Sequence, residues 1–167
     1  MANEHMSMSS SGYAALRRNE GVVMHYYNDA PVHGNCTWGV GTLAHYGPCT
    51  KEELHRAVLP TQVNAVLRQR VHEAERIVRA VVKHHQLTQA QFDAAVSFAY
   101  NSRTRDIRHA LRPANLGDMA AVAHNFMRNV YVTPRDSKGH PLGHAWLNHG
   151  LMNRRRREAA PFLQEKP

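Results

Sequence analysis

The chain has 167 residues, the size of one ordinary domain, and 43% of them are hydrophobic, as in a globular protein. No apolar run approaches the roughly 18 residues that a membrane-spanning helix needs. The formal net charge is +8, which predicts attraction to a polyanion such as nucleic acid, an anionic membrane or a bacterial envelope. Nucleic-acid binding would require a recognisable binding module, and the sequence contains none.

The N-terminal stretch MANEHMSMSSSG lacks the basic region and apolar core of a secretory signal. We therefore predict a flexible leader over residues 1–8 and a single domain over residues 9–167. Ser9 to Ser11 offer N-caps for a helix that would run to Glu20, before the helix breaker Gly21. Without a signal, a protein made in the bacterial cytoplasm would need host lysis, a membrane pore or a secretion apparatus to act outside it.

Short strands and turns are predicted for residues 22–46, which are rich in Gly, Asn and His, and they favour a small antiparallel sheet. Glu20 precedes this segment, Asp29 lies in an NDAP turn, and Thr37 opens the strand TWGVG. Two carboxylates and a hydroxyl are the groups that cleave a glycosidic bond, because one acid protonates the leaving oxygen while the others position water or stabilise the cationic sugar. The structural alternative is that Glu20 ends a helix in solvent and Asp29 caps its turn.

Two cysteines, Cys36 and Cys49, flank the predicted hairpin. A bridge would close a loop of about 14 residues and contribute roughly 3 kcal/mol in the chain-entropy model. Two free thiols are the expected state while the protein is in a reducing cytoplasm. A nucleophilic role for Cys36 has no partner base that the sequence identifies.

Capping boxes are predicted to open two helices, at Thr50–Glu53 and at Thr88–Gln91. Between them, Pro60 is placed to begin a long amphipathic helix that would end near His84 and His85. Its apolar residues recur at three- and four-residue steps: Val63, Leu67, Val71, Ala74, Val78 and Val81. The histidine pair suits a C-terminal charge cap better than a metal site, which would need a third ligand at helical spacing.

The C-terminal half is predicted to be helical. The helix after Thr88 is apolar almost all round, which favours the buried centre of a helical lobe. A connection or short helix over SRTRDIR and a loop over residues 133–143 flank a helix that begins at Gly117–Asp118. Its inward residues would be Val122, Phe126, Met127 and Val130. The last helix begins near Asn148 and contains Arg154 to Arg157; because consecutive helical residues point in different directions, at least one arginine must face the protein.

Several blocks, in order along the chain, resemble the phage-type lysozymes (endolysins, muramidases). They are the LxxxEG pattern at Leu16 to Gly21, the Tyr-x-Asp turn at Tyr27 to Asp29, the TxGxG strand at Thr37 to Gly41, and the segments Leu87 to Asn101 and Gly150 to Phe162. The chain departs from the family pattern in two places. Seven residues separate Asp29 from Thr37, more than is usual, and Gly41 is followed by Thr42 rather than His, with His45 three residues further on.

The resemblance implies an α+β, mainly α, lysozyme-like fold. A small antiparallel β-hairpin lobe (about residues 20–59) and a helical lobe (86–167, packed with the N-terminal helix) would be joined by a long helix (60–85). The resemblance implies a muramidase that hydrolyses the β-1,4 bond between N-acetylmuramic acid and N-acetylglucosamine in peptidoglycan. It implies no cofactor and no metal.

The family pattern also implies a role for each site residue. Glu20 would be the general acid, Asp29 would stabilise positive charge or orient water, and Thr37 would help to hold that water. Arg154, with Arg155 as the alternative, would support the site by reaching back toward Glu20. Inversion or retention at the anomeric carbon would depend on the carboxylate separation, about 6.5–9.5 Å against 5–5.5 Å.

Other functions fit the same residues. A lytic transglycosylase needs the Glu but no water-positioning pair and leaves an anhydro sugar, whereas a catalytically silent wall-binding or phage structural module would keep only the fold. The enzyme would act as a monomer on the wall, either as a phage endolysin or as a secreted antibacterial effector. The second setting implies a possible immunity or inhibitor protein as partner.

Overall fold

The computed structural model describes residues 2–29, 34–133, 140–141 and 143–164. The elements in chain order are α1 (Ser10–Glu20), β1 (Val23–Asn28), β2 (Cys36–Gly39), β3 (Thr42–His45), α2 (Lys51–Leu54), α3 (Pro60–Val81), α4 (Gln89–Tyr100), α5 (Thr104–Leu111), a 3-10 turn (Arg112–Leu116), α6 (Met119–Arg128), β4 (Tyr131–Val132), β5 (Trp146–Leu147) and α7 (His149–Leu163). No helix in these ranges is long and apolar enough to cross a membrane. The mainly helical chain with a small antiparallel sheet confirms the predicted fold class.

The contacts divide the chain into two compact units. Residues 14–70 form the sheet-containing unit, and residues 2–13 together with the described residues from 71 onward form the helical unit. The predicted lobes over 20–59 and from 86 onward fall within these two units, and α3 contributes residues to both.

In the sheet-containing unit, β1, β2 and β3 pair antiparallel in chain order. Tyr26 and Trp38 are cross-strand partners, with ring centroids 6.3 Å apart. Gly39 has a φ of 65°, and a Cβ there would lie only 3.3 Å from a Val63 methyl group. The missing side chain therefore lets β2 pack directly on the first half of α3, which fixes the strand that carries Thr37.

A disulfide joins Cys36 to Cys49, with the two Cα atoms 4.6 Å apart, and this corrects the expectation of free thiols. The backbone around the bridge is also hydrogen-bonded. The Cys36 amide donates to the Gly47 carbonyl at 2.8 Å, and the Cys49 amide donates to Asn28 Oδ1 at 2.8 Å. The end of β1, the start of β2 and the segment before α2 are thus tied together.

Both predicted capping boxes form. The Glu53 amide donates to Thr50 Oγ1 at 3.2 Å while the Thr50 amide donates to the Glu53 carboxylate at 2.8 Å. Thr88 and Gln91 exchange the equivalent pair of hydrogen bonds at the start of α4. These two helix starts depend only on residues three positions apart, which is why sequence alone locates them.

The long helix α3 ends at Val81, earlier than predicted, so His84 and His85 do not lie on it. Asn115 accounts for the difference. Its Nδ2 donates to the Val81 carbonyl at 2.8 Å, and its Oδ1 accepts from the amides of Lys83 and His84 at 2.8 and 3.0 Å. The predicted apolar face of α3 is buried at Val63, Leu67, Val71, Ala74 and Val78, whereas Val81, the last residue of the helix, is only partly buried.

The predicted flexible leader is corrected over residues 2–8. Asn3 is buried, and its side chain donates to the carbonyls of Val82 and His85 at 3.0 and 2.9 Å and accepts from the Leu87 amide at 2.9 Å. The Met8 amide donates to a Glu75 carboxylate oxygen at 2.7 Å. The polar composition that suggested disorder instead supplies hydrogen-bonding partners for the segment after α3.

The centre of the helical unit is aromatic. Phe126 stacks on Phe98 with centroids 4.0 Å apart and meets the edge of Phe162 at 5.3 Å. Of the predicted inward residues, Val122 and Phe126 on α6 and Val130 just beyond its end are buried, whereas Met127 is 39% exposed. Strands β4 and β5 form a second small antiparallel sheet that sequence did not predict, and most of the predicted loop over 133–143 lies outside the described residues.

Candidate active site

Glu20 is the last residue of α1 and is partly buried. Gly21 follows with a φ of 62°, a conformation that ends the helix and that glycine adopts without steric cost. Leu16, one turn before Glu20, is fully buried, and Arg17 donates a short hydrogen bond to Asn64 on α3. The carboxylate therefore projects from a helix end that is anchored within its own unit.

Asp29 follows the last residue of β1 and is exposed. Its carboxylate accepts the Asn35 amide at 2.6 Å, and its own amide donates to the Asn35 carbonyl at 3.1 Å. Two hydrogen bonds thus hold Asp29 at the base of its turn. One oxygen of the carboxylate receives the turn bond, and the other is available for chemistry.

Thr37 lies on β2, where it is only 4% exposed, and its cross-strand partner is Tyr27. Its hydroxyl donates to the Asn35 carbonyl at 3.2 Å. Because the hydroxyl proton is engaged there, the oxygen is left to accept a hydrogen bond from a water molecule. Asn35 therefore connects Asp29 to Thr37, a role that sequence reasoning did not assign to it.

Tyr27 brings the three predicted residues together. Burial raises the pKa of its hydroxyl above the usual 10.0, and the negative charges of Asp29 and Glu20 raise it further. Thr37 lies directly opposite Tyr27 on the neighbouring strand, and Asp29 follows Tyr27 by two residues, just beyond the end of β1. The Tyr27 phenol therefore stays protonated at neutral pH, within electrostatic reach of both carboxylates and opposite Thr37 across the strands. In the sequence, Tyr27 belongs to the Tyr-x-Asp pattern, which by itself indicates no chemical role for it.

The second departure from the family pattern falls on β3. Thr42, which follows Gly41 in place of His, has a buried hydroxyl with no hydrogen-bond partner among the described residues. His45 instead directs its Nε2 at the Glu53 carboxylate, 3.1 Å from each oxygen. The histidine of this strand thus belongs to a cluster around the disulfide.

Arg154 and Arg155 are both buried in the helical unit, which confirms that the arginine run faces the protein in part. Both bond Glu158: Arg154 Nε lies 2.9 Å from Oε1, and Arg155 Nη1 contacts Oε2. Ser97 Oγ donates to the same carboxylate at 2.7 Å. Sequence reasoning missed Glu158, although its spacing of three and four residues from the two arginines on one helix is a signal for such pairs. The predicted approach of Arg154 to Glu20 stays a prediction.

This combination of a mainly helical fold, an acid at a helix end, an Asp just after the first strand of a small sheet and a Thr on its second strand is typical of a lysozyme-like glycoside hydrolase. The sequence model of the Phage lysozyme family matches residues 17–158. The chain belongs to the phage lysozyme family, and it is a muramidase that hydrolyses peptidoglycan.

Solved structures with the same fold cover nearly the whole chain. An endolysin from the Escherichia coli O157:H7 phage FAHEc1 is 29% identical with a TM-score of 0.73, over 95% of this chain and 94% of that one. The lysozyme of phage P22, in a mutant form, is 26% identical with a TM-score of 0.66, over 95% and 99%. The muramidase domain of SpmX from Asticaccaulis excentricus shares the fold at 24% identity and a TM-score of 0.73, over 96% and 100%. No curated protein sequence matches the chain significantly.

Proposed function

We propose that Glu20, Asp29 and Thr37 carry out hydrolysis of the β-1,4 bond between N-acetylmuramic acid and N-acetylglucosamine. The observation that carries this assignment is the position of Tyr27. The charges of both carboxylates raise the pKa of its hydroxyl, and it pairs with Thr37 across the strands. Protonated Glu20 donates its proton to the glycosidic oxygen as the bond to the anomeric carbon breaks. Asp29 stabilises the developing positive charge or orients water, which Thr37 holds through its hydroxyl oxygen. Water then adds its hydroxyl to the anomeric carbon, and its remaining proton goes to a carboxylate of the site, Asp29 or the deprotonated Glu20.

The experiment that tests the general acid is Glu20→Gln, which removes a proton donor with little change in volume. Loss of general acid catalysis typically lowers turnover by about 10²–10⁴-fold. Glu52→Gln is the matched control, because Glu52 is an exposed glutamate on α2 in the same unit. Turbidity loss of permeabilised Gram-negative cells gives the rate, and melting temperature reports folding. A folded Glu20→Gln protein that lyses cells at the wild-type rate would end the assignment.

Product mass separates hydrolysis from lytic transglycosylation. A hydrolase adds one water to each bond that it cleaves, so a digest of purified sacculi should contain reducing-end N-acetylmuramic acid. Anhydro products would instead identify a transglycosylase that uses the same Glu20. The supporting role of Arg154 is tested by Arg154→Lys, and melting temperature must accompany that assay because the guanidinium also bonds Glu158.

The positive charge supports a setting in which the enzyme acts on an anionic envelope, after release by a membrane pore or delivery by a secretion apparatus. A phage endolysin and a secreted antibacterial effector fit equally well. An effector requires an immunity or inhibitor protein in the producing cell. Co-purification of the tagged enzyme with the product of a neighbouring gene would identify such a partner.

A further inference from the structure

A cluster of potential metal ligands surrounds the disulfide. Cys36, Cys49 and Glu53 each place one ligand atom within 4.8 Å of the others. Cys36 Sγ lies 3.8 Å from Glu53 Oε2, and His45 Nε2 lies 3.1 Å from both oxygens of that carboxylate. His45 is also the cross-strand partner of Cys36. All four side chains belong to the sheet-containing unit, and none of them has a part in the proposed hydrolysis.

We propose that, when the disulfide is reduced, these four side chains bind one zinc-type divalent cation. Cys36 and Cys49 are the thiolate ligands, and His45 Nε2 and one Glu53 oxygen complete a tetrahedron. Two thiolates, an imidazole and a carboxylate are all established zinc ligands. Each thiol loses its proton to solvent as its bond to the metal forms, and the metal keeps its oxidation state. The two electrons that open the disulfide come from an external reductant, a thiol or a phosphine. A thiol also supplies the two protons, whereas with a phosphine they come from water, whose oxygen goes to the phosphine oxide.

The distances in the oxidised form already match part of such a site. Zinc bonds measure about 2.0–2.1 Å to nitrogen and oxygen and about 2.3 Å to sulfur. In a tetrahedral site the edges, which are the distances between two ligand atoms, are then about 3.3 Å from nitrogen to oxygen and about 3.6 Å from oxygen to sulfur. The observed edges are 3.1 Å for His45 to Glu53 and 3.8 Å for Glu53 to Cys36. The edge between the two sulfurs must lengthen, and cleavage of the covalent bond permits that. His45 is not among the three side chains whose ligand atoms lie within 4.8 Å of one another, so its ring must also move closer to the sulfurs.

Neighbouring groups orient the ligands. The Nδ1 of His45 lies 3.0 Å from the Tyr46 carbonyl, which can only accept a hydrogen bond, so Nδ1 donates there and the ring presents Nε2 to Glu53. A metal would take the place of the proton that Nε2 shares with the Glu53 carboxylate in the oxidised form. The Thr50 amide donates to Glu53 Oε2 at 2.8 Å and so orients the carboxylate, and Oε2 keeps a second lone pair for a metal. Such second-shell hydrogen bonds are a regular feature of protein metal sites.

The backbone of each cysteine is held independently of the bridge. The Cys36 amide bonds the Gly47 carbonyl, and the Cys49 amide bonds the Asn28 side chain. The two sulfurs therefore stay close after reduction. The metal and the disulfide use the same sulfurs, so the two states exclude one another, and either one ties β2 to the segment before α2.

The test is a titration of the full chain with Co²⁺, under argon, after reduction with a phosphine. The expected result is one Co²⁺ per chain, with a thiolate-to-cobalt charge-transfer band and the visible bands of a tetrahedral site. The oxidised protein should give neither. Zn²⁺ should displace the cobalt and should raise the melting temperature of the reduced chain but not that of the oxidised chain.

Four variants locate the site. Cys49→Ser should abolish the charge-transfer band of a two-thiolate site. Glu53→Gln keeps a residue that can form the capping box and loses only the carboxylate, so weaker metal binding cannot be ascribed to the helix cap. His45→Ala removes a direct ligand, so it should weaken Co²⁺ binding by more than the about 10–100-fold that loss of an orienting partner costs. His55→Ala changes an exposed histidine outside the site and should leave Co²⁺ binding unchanged.

Two results would overturn the proposal. One is a reduced wild-type chain that gives no charge-transfer band, whether it is folded or unfolded. The other is a band whose affinity is the same in His45→Ala and Glu53→Gln as in the wild type, since the cysteines alone would then bind the ion. Circular dichroism before and after metal addition distinguishes a folded apo form from one that folds only with the metal.

Discussion

Asp29 and Asn35 exchange two hydrogen bonds, one from the Asn35 amide to the Asp29 carboxylate at 2.6 Å and one from the Asp29 amide to the Asn35 carbonyl at 3.1 Å. The seven residues between Asp29 and Thr37 exceed the family norm. The two hydrogen bonds close this longer turn at its base. Because the Asn35 carbonyl also accepts the Thr37 hydroxyl, the extra residues leave Asp29 tied to the strand that carries Thr37.

The turn and the chemistry of Asp29 can be separated by two substitutions. In Asp29→Asn the amide oxygen can still accept from Asn35, so we expect a melting temperature near the wild type and a large loss of turnover. Asp29→Ala should lose turnover and also about 1 kcal/mol of unfolding free energy, because it removes that hydrogen bond. Lysis assays and urea denaturation measure the two effects. Wild-type turnover in Asp29→Asn would leave Asp29 with a role in the turn alone.

Thr37 is predicted to act through its hydroxyl rather than its methyl group. Thr37→Ser keeps the hydroxyl and should keep most of the turnover, whereas the nearly isosteric Thr37→Val should lower kcat more than it changes KM. A soluble glycan oligomer gives both constants. If the serine and valine variants had equal kcat values, the hydroxyl would have no part in the reaction.

The position of Tyr27 predicts a titration that depends on the two acids. Removal of a negative charge in Glu20→Gln or Asp29→Asn should lower the pKa of the Tyr27 phenol, which ultraviolet difference spectra at alkaline pH detect. Tyr27→Phe identifies the signal. An unchanged pKa in both variants would contradict the proximity of the three groups.

The same shift has a consequence for stability. The folded-state pKa of Tyr27 is raised, so its contribution to stability is fully present below the usual value of 10.0 and is lost as the pH rises through the folded-state pKa. Urea denaturation between neutral pH and strongly alkaline pH should therefore show a decline above pH 10 that is weaker in Tyr27→Phe.

Glu158 should be a major determinant of stability in the helical unit. It is 4% exposed, and its carboxylate bonds two buried guanidinium groups and the Ser97 hydroxyl. Glu158→Gln removes the charge that compensates both arginines, and breaking a buried ion pair in this way costs about 3–5 kcal/mol. The exposed-site change Glu52→Gln should stay within about 0.5 kcal/mol of the wild type. A loss at Glu158 no larger than at Glu52 would refute this.

Charge should govern engagement of the intact wall. The net charge of +8 favours binding to an anionic envelope, and salt shortens the screening length from about 10 Å at 0.1 M to about 3 Å at 1 M. Lysis of whole permeabilised cells should therefore fall with added salt much more than cleavage of soluble glycan fragments. Equal losses on both substrates would rule out electrostatic docking.

Features that depend on neighbouring residues were predicted correctly from the sequence, whereas features that depend on residues far apart in the chain were not. The capping boxes at Thr50 and Thr88 and the buried face of α3 follow from residues within one or two helical turns. The end of α3 depends on Asn115, 34 residues away from Val81, and no local pattern records that hydrogen bond. The order of the N-terminal segment likewise depends on Asn3 meeting the chain about 80 residues later.

The candidate site divides in the same way. Glu20, Asp29 and Thr37 stand out because their residue types suit glycoside hydrolysis and match a family pattern. Asn35 and Tyr27 do not stand out in the sequence. The strand register pairs Tyr27 with Thr37, and the turn brings the Asn35 amide to the Asp29 carboxylate. The expectation of free thiols was wrong for a similar reason, since the spacing of the cysteines permits a bridge but does not require one.

The disulfide also turns residues 36–49 into a closed covalent ring, with Leu43 and Tyr46 exposed on it at 42% and 62%. A peptidase that cuts the backbone once between these cysteines opens the ring but releases no fragment. Thr37 and the rest of β2 would stay attached to the chain through the sulfur bridge. A nicked enzyme would thus remain one molecule, an advantage for a hydrolase that works among the proteases of a bacterial envelope.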